Sequence, residues 1–188
     1  MFYESAADGF IPCPVLFRRL LGTYEFAPEL SRSCGQATSP RGCLHETFET
    51  LGKCPHRGKI LEIGSGIGAV VWSVARNFGA TPYANEPDPD AQEVLQRLGV
   101  RLDSQEKLSL VDNQNSYDLV ILSHVLEHQP DPKPMLDLVL RQVAPGGLLL
   151  VEVPNGDVTE DGGVEHPLVF SRRSLASILR NYDCDVIW

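Results

Sequence analysis

From Lys59 onward the chain alternates short, unbroken apolar runs with longer stretches in which apolar residues recur every third or fourth position. Runs of four to six apolar residues bounded by turn residues predict strands buried on both faces, and the longer periodic stretches predict amphipathic helices. A strand is predicted over Lys59–Ile63, then a helix after Gly68 that carries Val70, Val71, Val74, Ala75 and Phe78 and stops at Gly79. A second strand, Pro82–Asn85, precedes a helix capped by Asp88, with Pro89 in its first turn, Ala91, Val94, Leu95 and Leu98 on one face, and Gly99 at its end. A short strand near Val100–Leu102 and a strand over Leu119–Leu122 follow. The next helix begins at Asp131-Pro132, carries Leu136, Val139, Leu140 and Val143, and ends at Pro145-Gly146-Gly147. A strand over Leu148–Val153, a helix from Ser171 with Leu175, Ile178 and Leu179 inward, and a sixth strand over Cys184–Trp188 complete the pattern. Strand and helix in alternation predict an α/β fold with a mainly parallel sheet.

Residues 1–56 read differently. Five prolines, Pro12, Pro14, Pro28, Pro40 and Pro55, interrupt short apolar stretches, of which Val15–Leu21 is the best helix candidate. This segment is expected to be a cap or lid on the domain formed by residues 57–188. The whole chain has 188 residues, enough for one ordinary core. Sixteen basic against 25 acidic residues give a net charge of −9, which disfavours nucleic acid or an anionic membrane as partner. No apolar run has the length of a membrane helix and the start has no leader pattern, so a cytoplasmic protein is expected. The five cysteines are Cys13, Cys34, Cys43, Cys54 and Cys184; four lie in the first 54 residues with His45 and His56 nearby. They contain no C-x-x-C pair and are separated by 20, 8 and 10 residues within the N-terminal group, which argues for reduced thiols over zinc.

The densest chemical signal is Glu62-Ile63-Gly64-Ser65-Gly66-Ile67-Gly68, three alternating glycines directly between a predicted strand and a predicted helix. Such a loop turns sharply, admits a ligand against its backbone and presents the unpaired N–H groups of a helix start. Two nucleotide-type ligands compete for it. Gly64, Gly66 and Ala69 satisfy G-x-G-x-x-A, and Glu86 stands 22 residues after Gly64, where a carboxylate can accept from both ribose hydroxyls, so a nicotinamide dinucleotide stays open. Against it stand Glu62 before the loop, the third alternating glycine and the absence of a Y-x-x-x-K pair.

Residues 59–155 resemble a class I S-adenosylmethionine-dependent methyltransferase. The likeness rests on Lys59-Ile60-Leu61-Glu62-Ile63-Gly64-Ser65-Gly66-Ile67-Gly68, on Asn85-Glu86-Pro87-Asp88, and on Ser116-Tyr117-Asp118-Leu119-Val120. His124-Val125-Leu126-Glu127-His128-Gln129-Pro130-Asp131-Pro132 is similar to the L-E-H-x-x-D-P signature of the small-molecule group, and Val143-Ala144-Pro145-Gly146-Gly147-Leu148 to its L-x-P-G-G-x motif. Glu152-Val153-Pro154-Asn155, Glu165-His166-Pro167 and Phe170-Ser171 extend it toward residue 180. The resemblance implies a Rossmann-like sheet with helices on both faces, S-adenosylmethionine as cofactor, and methyl transfer to a small-molecule acceptor. It implies that Gly64, Ser65, Gly66 and Gly68 pass the methionine and ribose parts of the cofactor, that Glu62 orients the loop, and that Glu86, with Pro87 beside it, takes the ribose diol. Asp103, with Glu106 as the alternative, would face the adenine edge. Ser123 and His124 would line the pocket beside the acceptor.

For a catalytic base the sequence offers His124 and His166. His124, Glu127 and His128 stand at i, i+3 and i+4, on one side of a helical turn. Three such groups can hold a divalent ion, and the pattern is similar to the E-x-x-E-H site of ubiquinone-pathway and small-RNA methyltransferases, with His124 in place of the first Glu. The favoured reading assigns no metal and gives Glu127 and His128 the task of fixing the turn by hydrogen bonds. His166 lies in a long Gly- and acid-rich connection, as a second base, an acceptor contact or a plain surface histidine. One departure remains. The family sheet has seven strands, its last two antiparallel, whereas here the final strand is missing and the chain stops at Asp185-Val186-Ile187-Trp188. An apolar edge of that kind needs cover, so a partner or further domain over the C-terminal edge is expected, and with it the alternative of an inactive or partner-dependent cofactor-binding module.

Overall fold

The computed structural model describes residues 57–103, 117–156 and 166–182, and the backbone of 13–19 and 184–187. In chain order the elements are β1 Cys13–Arg19, β2 Lys59–Ile63, α1 Ala69–Phe78, β3 Thr81–Asn85, α2 Pro89–Arg97, β4 Arg101–Leu102, β5 Tyr117–Ser123, a 3-10 turn Leu126–His128, α3 Pro132–Gln142, β6 Val143–Val153, α4 Arg172–Leu179 and β7 Cys184–Ile187. They build one seven-stranded sheet in the order β4-β3-β2-β5-β6-β1-β7. Its first five strands are parallel. β1 runs antiparallel between β6 and β7.

Period-two alternation along the central strands sends neighbouring side chains to opposite faces. Ile60, Leu119, Ile121, Leu148 and Leu150 pack with Val71, Val74, Phe78 and Leu95 of α1 and α2. Leu61, Val120, Leu122, Leu149 and Val151 pack with Leu136, Val139, Leu175 and Leu179 of α3 and α4. Two apolar faces thus account for the unbroken runs in these strands, and for helices on both sides of the sheet. The helix starts follow from their caps: the side chain of Asp88 accepts from the Asp90 N–H, that of Asp131 from the Lys133 N–H, and Ser171 and Ser174 form a reciprocal capping box.

Two expectations are corrected. Of the helix predicted over Val15–Leu21, residues 15–19 lie instead in strand β1, which joins the sheet. Residues 1–12 and 20–56 lie outside the described residues. The sheet also does not lack the expected antiparallel neighbour of β6: β1 occupies that place, pairing Val15 with Val151 and Phe17 with Val186, and the C-terminal strand lies beyond it. Smaller shifts concern boundaries. β6 begins at Val143, earlier than the predicted Leu148, because Val143 already pairs with Tyr117 before a register shift carries the ladder on to Leu119 and Leu148.

Candidate functional site

The carboxyl ends of β2, β3, β5 and β6 converge where the strand order reverses from β2-β3-β4 to β5-β6, the place where open α/β sheets bind ligands. The glycine loop after β2 forms one wall. Gly64, Gly66 and Gly68 all have positive φ, at 65°, 52° and 77°. Their surroundings differ. A Cβ on Gly64 would come within 2.7 Å of Val125 Cγ2, and one on Gly68 within 2.3 Å of Leu95 Cδ2, whereas one on Gly66 would meet nothing within 4 Å. The loop is therefore packed from below at its two ends and open at its middle. The Oγ of Ser65 is buried and has no hydrogen-bond partner among the described residues.

Two carboxylates hold this wall. Glu62, 2% exposed, accepts the Val71 N–H with Oε2 at 2.9 Å and so ties the strand end to the first turn of α1. Glu86 accepts from Gly66 N with Oε2 at 2.7 Å and from Asp88 N with Oε1 at 2.9 Å, bracing the loop against the start of α2. A carboxylate has about four lone-pair sites, so Glu86 keeps acceptor capacity toward the crevice. Pro87, next to it, is exposed.

Glu62 is ionised with difficulty. Burial pushes its carboxyl up to about 8, the Val71 N–H pulls the other way, and the charges of Glu152 and Glu86 add to the rise. The sign of the pH effect follows. In the unfolded chain Glu62 ionises near 4.5, so between about pH 4.5 and 8 the unfolded state holds fewer protons and stability falls as pH rises. The slope reaches at most about 1.4 kcal/mol per pH unit. Glu62→Gln keeps the acceptor for Val71 and is expected to remove this slope; urea melts at pH 5, 6.5 and 8 that fall off equally in both proteins would contradict it.

Of the other sequence-predicted residues, Asp103 is buried and its Oδ2 accepts a short hydrogen bond from the Tyr117 hydroxyl. Burial and this bond raise the Tyr117 phenol above its usual range. The Asn85 amide donates to the Asp103 carbonyl at 3.0 Å. Ser123, at the end of β5, donates to Glu152 Oε2 at 3.1 Å. Motif reading included Glu152 in the family likeness without giving it a role; the β5–β6 register brings it opposite Ser123.

His124 follows β5 with φ at 55°, a left-handed conformation that costs a non-glycine residue about 1–2 kcal/mol. Its N–H donates to the Glu152 carbonyl at 2.9 Å, and its Nδ1 lies 3.1 Å from Oε1 of Glu127, which is 1% exposed. The segment 126–128 is a 3-10 turn and not an α-helix, so the three residues do not share a helical face as the spacing suggested. His128 meets His166 instead, their ring centroids 4.6 Å apart. His166 thus comes to the site, but beside His128; Glu106 and residues 104–116 lie outside the described residues.

A family described as a methyltransferase domain matches residues 36–187, a range that begins after β1. Phosphoethanolamine N-methyltransferase 2 of Caenorhabditis elegans is 29% identical over 99 residues, 49% of this chain and 23% of that protein. The chain thus spans under a quarter of the length of that curated relative. Among solved structures, a Bacillus halodurans C-125 protein assigned as a methyltransferase is similar with a TM-score of 0.58 and 13% identity, over 72% of this chain and 66% of that one. A SAM-dependent methyltransferase of Thermotoga maritima is similar with a TM-score of 0.51 and 21% identity, over 66% and 62%. At these identities the solved structures speak for the fold alone. The family match covers most of the sequence, and the chain belongs to the methyltransferase domain family.

Proposed function

We propose that the protein transfers a methyl group from S-adenosylmethionine to a small-molecule acceptor. The observation that carries this reading is the loop at residues 64–68, open above Gly66 and braced by Glu86, with the orphaned Ser65 Oγ in it. These features fit the cofactor: a nucleoside diol needs an acceptor carboxylate, its chain needs bare backbone beside it, and an unfilled buried hydroxyl needs a partner. Glu86 and Glu152 both lie close enough to the buried Glu62 to oppose its ionisation, and two carboxylates of that sign favour a cationic ligand over the two phosphates of a dinucleotide. When bound, the cofactor supplies a sulfonium-activated methyl group. The protein's task is then to hold acceptor and donor in line and to receive a proton.

In this reading Glu86, beside Pro87, binds the ribose hydroxyls, Ser65 and the loop glycines Gly64, Gly66 and Gly68 line the donor, Glu62 holds the loop in place, and Asp103 orders the adenine side through Tyr117. Ser123 and His124 stand between donor and acceptor. His124 is the proposed base: a neutral ring that donates Nδ1–H to Glu127 carries its lone pair on Nε2, as proton removal requires. His166 is retained as a contact to the acceptor. The similarity to a phosphoethanolamine N-methyltransferase supports a small acceptor over a macromolecule, as does the net charge of −9. Among the described residues no helix is long and apolar enough to cross a membrane, and we place the activity in the cytoplasm. A partner or further domain is proposed at the sheet edge formed by β7, the last strand among the described residues.

The test is release of S-adenosylhomocysteine from S-adenosylmethionine in the presence of a filtered small-molecule extract. Acceptor-dependent release that falls in His124→Ala supports the reading. Cofactor binding without any release points to the inactive binding module.

A further inference from the structure

Glu127, His128 and His166 each offer one ligating atom, and the three atoms lie within 4.8 Å of one another. We propose that they form a binding site for a divalent first-row transition ion. Four observations converge on it. Glu127 is 1% exposed, and its Oε2 has no hydrogen-bond partner among the described residues, while Oε1 faces His124 Nδ1. A buried carboxylate oxygen with an unfilled acceptor site is costly, and a cation satisfies it directly. The rings of His128 and His166 stand edge to face at 67°, so that two imidazoles from different segments are presented together. The Leu168 N–H donates to the Glu127 carbonyl at 3.3 Å and fixes the His166 segment against the 3-10 turn.

The donor set decides the ion. Two imidazole nitrogens with one carboxylate suit zinc, cobalt, iron or manganese in the divalent state; calcium and magnesium prefer oxygen alone. Bonds of about 2.1 Å in a tetrahedral site bring ligands to about 3.4 Å apart. Rotations of the surface rings of His128 and His166 supply that contraction, since neither belongs to a strand or long helix. The site differs from the His124-Glu127-His128 set suggested by spacing: His124 orients Glu127 as an outer partner, the arrangement that commonly supports metal ligands, and His166 takes its place. Three protein ligands leave a position open. If the proposed methyl transfer is correct, that position lies next to the acceptor, but metal binding itself does not depend on that reading.

The test uses cobalt(II) as probe on the full chain after chelator treatment, followed by visible absorption. The expected result is saturation at about one equivalent with ligand-field bands, displaced by zinc, and affinity at least about tenfold weaker in both His128→Ala and His166→Ala. These two variants change partly or fully exposed side chains, and circular dichroism checks that the fold is kept. Glu127→Gln should weaken binding further. Absence of ligand-field bands, unchanged affinity in both histidine variants, or intense thiolate charge-transfer bands from the cysteines would each overturn the proposal.

Discussion

Glu86→Ala is expected to weaken S-adenosylmethionine binding by roughly 100-fold or more. The carboxylate accepts from both Gly66 N and Asp88 N, and hydrogen bonds to a charged group contribute about 1.5–3 kcal/mol each. Alanine therefore loses the brace of the loop together with the proposed ribose contact. Glu86→Gln retains one carbonyl oxygen and should fall between the two. Calorimetric titration gives the affinities, and thermal melts separate loss of the ligand contact from loss of the fold. Binding by Glu86→Ala within about threefold of the parent would remove Glu86 from the site.

Gly68→Ala should cost the most stability among the three loop glycines' alanine variants, and Gly66→Ala the least. Both residues have positive φ, which a Cβ penalises by about 1–2 kcal/mol. At Gly68 the new methyl also runs into Leu95, a core side chain that is 0% exposed, at 2.3 Å, whereas at Gly64 it meets the partly buried Val125 at 2.7 Å. Overpacking adds about 1–3 kcal/mol. Gly66→Ala should instead stay folded and bind the cofactor poorly, because its methyl projects into open space above the loop. Equal urea midpoints for the two variants would contradict this division of labour between packing and ligand access.

The central strands were legible because burial on both faces leaves continuous apolar runs, and the helices because Asp88, Asp131 and Ser171 sit at their starts. β1 was not. A short apolar run such as Val15–Leu21 has no period that separates helix from strand, and what makes Cys13–Arg19 a strand is pairing with β6 and β7 at the other end of the chain. The site divides in the same way. Glycines and Glu86 are local and readable as a motif. Glu152 opposite Ser123, Val125 beneath Gly64, Leu95 beneath Gly68 and His166 against His128 are products of the fold. His124, Glu127 and His128 were read as neighbours on a helical turn; the 3-10 geometry keeps His124 with Glu127 and turns the His128 ring toward His166.

The most direct test of the account is calorimetric titration of the chain with S-adenosylmethionine, S-adenosylhomocysteine and NAD in parallel. Saturable binding of the first two and none of NAD is the expected result. Binding of NAD alone, or of none of the three by a chain that circular dichroism shows to be folded, would contradict it.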